Sequence, residues 1–176
     1  MGAEAGVGPL STWLPYRELP LSIVLTEDQD TLGLTSGKGR DMSGTSGTES
    51  QNLAVVRRGY EAFGKGDIET LKTVFSPNAS WQEVATGVLP GNYRGAQAIL
   101  EFFGQLAHES DGTMRAELQT MAASGDHVFA LHRTTGKRKG KTLDTKTVLV
   151  FKLDKGVVTE VTEFQSEYPA FAQFWA

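Results

Sequence analysis

Residues 126–164, DHVFALHRTTGKRKGKTLDTKTVLVFKLDKGVVTEVTEF, decide the fold of this 176-residue chain. Apolar and polar residues alternate along three runs, at 126–135, 143–153 and 157–164. Alternation with a period of two predicts strands with one buried face. The pairs Lys139-Gly140 and Lys155-Gly156 separate the runs and are typical of tight hairpin turns. The stretch therefore predicts three consecutive antiparallel strands.

The sequence on either side of this stretch predicts helices and two further strands. Apolar residues recur at helical spacing in three segments, at 51–63, 67–75 and 95–108. Thr48 and Gln51 have the spacing of a capping box, which predicts that the first helix begins there. Strands are predicted at 79–84 and 113–123, and the aromatic segment 168–175 is predicted as a short helix or arm. The order α-α-β-α-β-β-β-β indicates an α+β fold.

Residues 1–50 differ in composition from residues 51–176, which form the predicted domain. They are rich in Gly, Ser, Thr and Pro and show no sustained periodicity, which is typical of a flexible extension. We expect Met42 to be the natural start, so that 1–41 would be an upstream extension. The alternative is a tail that docks on the domain through Trp13, Leu14 and Tyr16.

The composition excludes several classes of protein. The chain has no cysteine, so disulfides, zinc–thiolate sites and cysteine nucleophiles are excluded. A net charge of -4 and a pI of 5.4 argue against a nucleic-acid surface. The one basic cluster is typical of a solvated hairpin tip; it comprises Lys137, Arg138, Lys139 and Lys141. No run approaches the roughly 18 apolar residues of a membrane span, so we expect a cytoplasmic protein with no nucleic-acid or membrane partner.

Several short motifs occur in a characteristic order along residues 51–176: Tyr60-Glu61-Ala62-Phe63 with Gly66-Asp67, Ala79-Ser80-Trp81-Gln82-Glu83, Tyr93-Arg94-Gly95, Leu143-Asp144, and GVVTEV at 156–161. Together they resemble the nuclear transport factor 2-like superfamily, in particular its SnoaL-like and ketosteroid-isomerase-like branch. The resemblance implies a cone-shaped α+β barrel in which three N-terminal helices pack on a curved, mainly antiparallel sheet. It does not fix the reaction, because this fold hosts unrelated activities.

The resemblance to ketosteroid isomerases implies roles for two residues. In those enzymes a tyrosine of the first helix donates to the substrate oxygen, and an acid on the first strand moves the proton. Tyr60 matches the tyrosine and Glu83 matches the acid. The position of a second acid, which completes the oxyanion hole, holds Thr147, and a threonine cannot supply a neutral carboxylic acid. Steroid isomerisation is therefore not expected.

Strand alternation and the resemblance together predict the side chains that face the cup. We expect three catalytic groups, namely Glu83, His132 and Tyr60. We expect the substrate to be bound by Trp81, Thr147, Glu163, Phe151 and Val128. Desolvation in an apolar pocket raises the pKa of a carboxyl such as Glu83, which makes it a better base near neutral pH, and His132 facing it could share the proton. The alternative is a purely structural hydrogen bond between Glu83 and His132.

The sequence predicts neither a metal nor a cofactor. The three histidines lie on different predicted elements without the spacing of metal ligands. No glycine-rich phosphate loop opens a helix, so a nucleotide cofactor is not indicated.

Two functions remain open at this point. The first is a cofactor-independent acid–base enzyme on a small apolar substrate, an isomerase, cyclase or hydratase/hydrolase. It would shift a proton next to a carbonyl, close a ring by aldol chemistry, or add water. The second is a module that binds a hydrophobic molecule without reaction, or that only dimerises. The opposite face of the sheet predicts a homodimer, because it carries further apolar residues, Phe129, Leu131, Val148 and Val150.

Overall fold

The computed structural model describes residues 43–83 and 85–176. These residues form four helices and six strands: α1 (Ser43–Lys65), α2 (Ile68–Val74), β1 (Phe75–Gln82), β2 (Asn92–Arg94), α3 (Ala96–Glu109), β3 (Arg115–Ser124), β4 (His127–Arg138), β5 (Lys141–Asp154), β6 (Val157–Gln165) and α4 (Tyr168–Trp175). None of the helices in this part of the chain is long and apolar enough to span a membrane. The predictions for Met42 and for a docking tail fall outside the described residues.

The six strands form one mixed sheet in the order β2-β1-β6-β5-β4-β3. Every neighbouring pair is antiparallel except β1 and β6, which run parallel. Strands β3 to β6 are consecutive neighbours, as the alternating runs predict. The α+β class is confirmed, and the aromatic segment at the C-terminal end is a fourth helix, α4.

The hairpin turns have the backbone geometry that their sequences predict. Lys139 and Gly140 have φ values of 47° and 77°, and Lys155 and Gly156 have values of 49° and 80°. Two successive positive φ values match the type I′ turn, whose twist fits the twist of antiparallel strands. A glycine at the second position adopts this conformation at little steric cost.

The two faces of the central strands differ in burial, as predicted. On β4 the side chains of Val128, Ala130, His132 and Thr134 are buried, and on β5 so are those of Thr145, Thr147, Leu149 and Phe151. Phe129, between two of these positions, is 44% exposed. The register places His132 opposite Thr147. One face therefore looks towards the helices, while the other is left open in this chain.

Three boundaries differ from the prediction. Helix α1 begins at Ser43, so Thr48 lies within the helix and the predicted capping box does not start it. Strand β1 begins at Phe75, directly after α2, and its register with β6 shifts between Phe75 and Ser80. Pro77 lies in this irregular stretch, where its missing N–H costs no ladder hydrogen bond. The loop predicted at 85–93 runs into the short strand β2, which pairs with the end of β1.

Arg138 corrects the prediction of a fully solvated basic hairpin tip, because its side chain is buried. Its guanidinium donates to Glu109 Oε2 at 3.0 and 3.2 Å, and to the carbonyl oxygens of Phe174 and Ala176 at 3.1 and 2.9 Å. It also lies 5.9 Å from the centre of the Trp175 ring. A single side chain of β4 therefore joins the end of α3 to α4.

Replacing Arg138 with methionine should destabilise the domain strongly. The change removes the Arg138 donor from Glu109 and from the carbonyl oxygen of Phe174, while the carbonyl oxygen of Ala176 keeps its hydrogen bond from Lys141. Breaking a buried ion pair typically costs about 3–5 kcal/mol. Urea unfolding checks this, with Lys137→Met on the exposed side of the same hairpin as the matched control. A loss below about 0.5 kcal/mol for Arg138→Met would contradict the structural role assigned to this residue.

Candidate functional site

A cavity of about 90 Å³ lies between the inner face of the sheet and the helices. Its walls are mainly apolar and rich in aromatic rings, including Phe63, Trp81, Phe102, Phe103 and Phe151. Five further side chains bring polar atoms to the lining: Tyr60, Glu83, His132, Thr134 and Glu163. Six of the eight site residues predicted from the sequence therefore line this cavity, together with further aromatic residues that were not predicted.

Tyr60 and His132 form a neutral pair. Helix α1 presents Tyr60 to the sheet, and its hydroxyl shares a hydrogen bond of 2.7 Å with Nδ1 of His132 on β4. Burial lowers the pKa of His132 to about 4, so the ring is uncharged near neutral pH. Burial, followed by the charge of Glu163, raises the pKa of Tyr60. If the phenol donates to Nδ1, the Nε2–H of the ring is left for a ligand; if Nδ1–H donates, the phenol O–H is left.

Glu83 follows the last residue of β1 and is held by β2. Its backbone N–H donates to the carbonyl of Gly91 at 2.8 Å. Its carboxyl accepts a hydrogen bond of 3.2 Å from the hydroxyl of Tyr93, whose ring stacks on Phe102 with centroids 4.2 Å apart. Tyr93 belongs to a family motif and lies in a segment whose sequence predicts a loop. Its contact with Glu83 was therefore missed.

Glu163 lies on β6 and is held by two donors. The indole N–H of Trp81 donates to Oε2 at 3.3 Å, and the amide of Gln165 donates to Oε1. Trp81 is one residue beyond Ser80 on β1, where the register with β6 pairs Trp81 with Val161 and Gln82 with Thr162. Because the two strands are parallel, the next residue of each, Glu83 and Glu163, projects at the same end of the pair.

Glu83 and Glu163 therefore bring two carboxyl groups into one apolar cavity. Desolvation raises the pKa of Glu83, and the charge of Glu163 raises it further. Desolvation also raises the pKa of Glu163, against the opposing effect of its two hydrogen bonds. Two nearby carboxylates in a medium of low polarity do not readily ionise together. The pair can therefore hold one proton and one negative charge near neutral pH.

The structure places three of the predicted site features differently from the expectation. Glu83 and His132 do not form the expected hydrogen bond, because in the described residues Tyr93 is the partner of Glu83 and Tyr60 is the partner of His132. Val128 is fully buried but does not line the cavity. Thr147 is also fully buried and outside the lining, and its hydroxyl is taken up by Thr134 and Gln165. The threonine that lines the cavity is Thr134, which lies two residues along β4 from His132, the cross-strand partner of Thr147.

Trp175 of α4 carries a donor that the sequence analysis did not single out. Its ring lines the cavity, its side chain is fully buried, and its indole N–H has no acceptor among the described residues. An unpaired buried N–H is costly. Within residues 43–83 and 85–176, no group of three or more histidine or acidic side chains is placed to hold a metal ion.

Comparison with known proteins places this geometry in a family. An uncharacterized protein of Mycobacterium tuberculosis is 31% identical over 130 residues, which cover 73% of this chain and 99% of that protein. The solved structure of Bal32a, from a soil-derived mobile gene cassette, is 37% identical with a TM-score of 0.71 and covers 73% of this chain and 98% of its own.

A more distant solved structure, that of an LEH-like epoxide hydrolase of M. tuberculosis, shares the fold alone. It is 14% identical with a TM-score of 0.58, and the match covers 72% of this chain and 91% of that chain. The family model of the SnoaL-like domain matches residues 56–161. This range begins in the middle of α1, contains strands β1 to β5 and ends in the middle of β6. The chain therefore belongs to the SnoaL-like domain family.

Proposed function

We propose that this domain is a cofactor-independent acid–base enzyme that acts on a small, mostly apolar, uncharged substrate. The observation that carries the proposal is the placement of Glu83 and Glu163 in one aromatic-walled cavity. A carboxyl with a pKa near the working pH is effective in proton transfer, because it is both available and a strong enough base. A pair that holds one proton supplies an acid and a base in the same cavity.

The charges of the lining select the substrate class. The cavity is lined by two carboxyl groups and by no lysine or arginine among the described residues. An anionic substrate would therefore be repelled and left without a counter-charge. The apolar walls suit a hydrocarbon body, and a single acceptor oxygen would find a donor in the Tyr60–His132 pair or in a protonated carboxyl. These features fit a proton shift next to a carbonyl, an aldol ring closure or the addition of water.

A second candidate function is the binding of a hydrophobic molecule without reaction. It is favoured by the mutual hydrogen bond of Tyr60 and His132, since two groups that satisfy each other need take no part in a reaction. The two functions differ in what they require of the carboxyl pair. Binding alone needs the shape and the apolar walls, whereas the reaction needs both carboxyls to exchange protons.

Glu83→Gln and Glu163→Gln should each abolish turnover and leave binding nearly intact. Exchange of the α-protons of small cyclic ketones and enones in D₂O, followed by NMR, reports proton transfer without knowledge of the natural substrate. Loss of a positioned acid or base typically costs a factor of about 10²–10⁴. Glu61→Gln, on the exposed side of α1, is the matched control. If the wild type binds these compounds but its exchange rate equals that of both variants, the binding function replaces the enzyme.

The raised pKa values also predict how stability depends on pH. A carboxyl that holds its proton in the folded state, but has a pKa near 4.3 when unfolded, makes the free energy of unfolding fall as pH rises between the two values. His132 acts in the opposite direction, but only between about 4 and 6.5, because its lowered pKa of about 4 lies below its usual value. Above pH 6.5 the change in the free energy of unfolding with pH therefore comes from the two carboxyls and not from His132.

Glu83→Gln should stabilise the domain at pH 8 relative to the wild type, and less so at pH 5. The expected gain is about 1 kcal/mol, or ~4 °C in melting temperature, because the variant no longer ionises a desolvated group. Thermal melts across this range check the effect, again with Glu61→Gln as control. A variant that is destabilised equally at both pH values would contradict the raised pKa.

We further propose that the open face of the sheet forms a homodimer. Phe129 and Phe164 are 44% and 54% exposed. Phe129 pairs with Val150 and Phe164 pairs with Val148, so these side chains form one apolar patch across three strands. Contiguous exposed apolar surface of this kind marks an interaction site.

Introducing charge into this patch should produce a monomer. The double variant Phe129→Glu/Phe164→Glu is expected to sediment with half the mass of the wild type in analytical ultracentrifugation, because each charge would be buried unpaired in the interface. Arg58→Glu, exposed on α1, is the control for a change of charge alone. A wild type that sediments as a monomer at high concentration would contradict the proposed dimer.

A further inference from the structure

Glu163 lies at the end of a row of hydrogen-bonded side chains that crosses three strands. Thr134 Oγ1 on β4 and Thr147 Oγ1 on β5 are 2.8 Å apart. Thr147 donates to Gln165 Oε1 on β6 at 3.1 Å, and the amide nitrogen of Gln165 donates to Glu163 Oε1. Thr134 and Thr147 are buried, so water does not compete for these bonds.

The direction of the row follows from the orientation of the Gln165 amide, whose oxygen faces Thr147 and whose NH₂ group faces Glu163. Thr147 has one hydroxyl proton and gives it to Gln165, so Thr134 donates to Thr147. The second oxygen of Glu163 faces the indole N–H of Trp81, a group that can only donate. Both oxygens of Glu163 meet donors, which is the environment of a carboxylate.

The environment of Glu83 differs in kind. Its single side-chain partner among residues 43–83 and 85–176 is the hydroxyl of Tyr93 at 3.2 Å, and a hydroxyl can accept as well as donate. A protonated Glu83 can therefore turn the bond around and donate to Tyr93. Among the described residues Glu163 has no such partner, because both of its side-chain partners are N–H groups, which can only donate. The shared proton is consequently better placed on Glu83.

From this network we infer that Gln165 and Thr147 are positioning residues that keep Glu163 ionised and leave the proton on Glu83. The inference rests on the proposed function, in which this pair moves the proton. It reverses the roles implied by family resemblance, where Glu83 matches the base. Glu163 is then the base and Glu83 the acid.

These roles give a balanced proton shift on a ketone. Glu163 takes a proton from the carbon next to the carbonyl, and the electron pair of that C–H bond forms a C=C bond. The π pair of the C=O bond moves to oxygen, which takes the proton of Glu83. The products are an enol, a protonated Glu163 and an ionised Glu83. Where the ketone carries a β,γ double bond, the enol is a conjugated dienol. Glu163 then returns the proton to the γ-carbon, the double bond moves to the α,β position, the C=O bond forms again and the enol O–H returns its proton to Glu83, which completes an isomerisation.

The other titratable groups that face the pair do not decide the order of ionisation. Tyr60 on α1 and Tyr93 on β2 keep their protons, because burial raises both pKa values. His132 on β4 is neutral near pH 7. The residues that α3 and α4 contribute to the lining are apolar or aromatic and do not ionise: Phe102, Phe103, Leu106, Phe171 and Trp175.

The test is the order in which the two carboxyls lose their protons, measured by NMR on protein with ¹³C-labelled glutamate carboxyls. Glu83→Gln and Glu163→Gln assign the two signals. In the wild type Glu163 should ionise at lower pH than Glu83. Gln165→Leu removes one of the two donors and should bring the two titrations together or reverse them. Gln82→Leu, on the exposed side of β1, should leave the order unchanged.

A second pair of variants covers the case in which Gln165→Leu does not fold. Thr147→Val frees the amide of Gln165 to turn its oxygen towards Glu163, so it should shift the order in the same direction, whereas Thr147→Ser keeps the hydroxyl and should restore the wild-type order. Ionisation of Glu83 before Glu163 in the wild type, or an unchanged order in Thr147→Val, would overturn the inference. Because titration needs no turnover, the predicted order without any proton exchange on ketones would refute the enzyme alone.

Discussion

The parallel pairing of β1 with β6 is the constraint on which the rest of the site depends. It brings Glu83 and Glu163 to the same end of two neighbouring strands, inside walls formed by aromatic side chains. Burial alone disfavours the ionised form of each carboxyl, and two ionised carboxylates would also repel each other. The favoured state of the pair therefore has one protonated carboxyl and one carboxylate. The cost of holding them there is met by the surrounding core and by the hydrogen bonds of Trp81, Gln165 and Tyr93.

The neighbouring groups of the cavity are arranged so that they do not add to this charge. Tyr60 and His132 satisfy each other and remain neutral, which leaves their remaining polar atoms as donors or acceptors for a ligand. The only buried arginine among the described residues, Arg138, lies outside the lining, where it joins α3 and α4 through Glu109 and two carbonyl oxygens. Positive charge thus supports the frame of the cavity without neutralising its carboxyls.

Much of the fold could be predicted from the sequence, because it follows from local patterns. The alternation in β4 and β5 and the Lys-Gly turns specify both the hairpins and the inward face. What could not be predicted depends on contacts between distant segments. β2 has only three residues, too few for a periodic signal, yet it carries the tyrosine that binds Glu83. Arg138 has the sequence context of an exposed turn, and only the position of α4 buries it.

The site residues likewise divide into those that local sequence patterns predict and those that depend on contacts between distant segments. Strand alternation and family resemblance together predict that four polar side chains line one cavity: Tyr60, Glu83, His132 and Glu163. Their partners do not, because a hydrogen bond is decided by differences of an ångström or two that a pattern cannot resolve. Glu83 and His132 face the same cavity but are each bound to a tyrosine. The pairing of the two glutamates became visible only with the register of β1 and β6.

The central claim is that the folded protein holds one proton on the Glu83–Glu163 pair near neutral pH. Infrared spectroscopy tests it directly, because a protonated carboxyl has a carbonyl stretching band that a carboxylate lacks. The difference spectrum at pH 7 between the wild type and the Glu83→Gln/Glu163→Gln double variant should contain that band with the intensity of one carboxyl group. Its absence at pH 7, with the band emerging only near the ordinary glutamate pKa of about 4.3, would contradict the account.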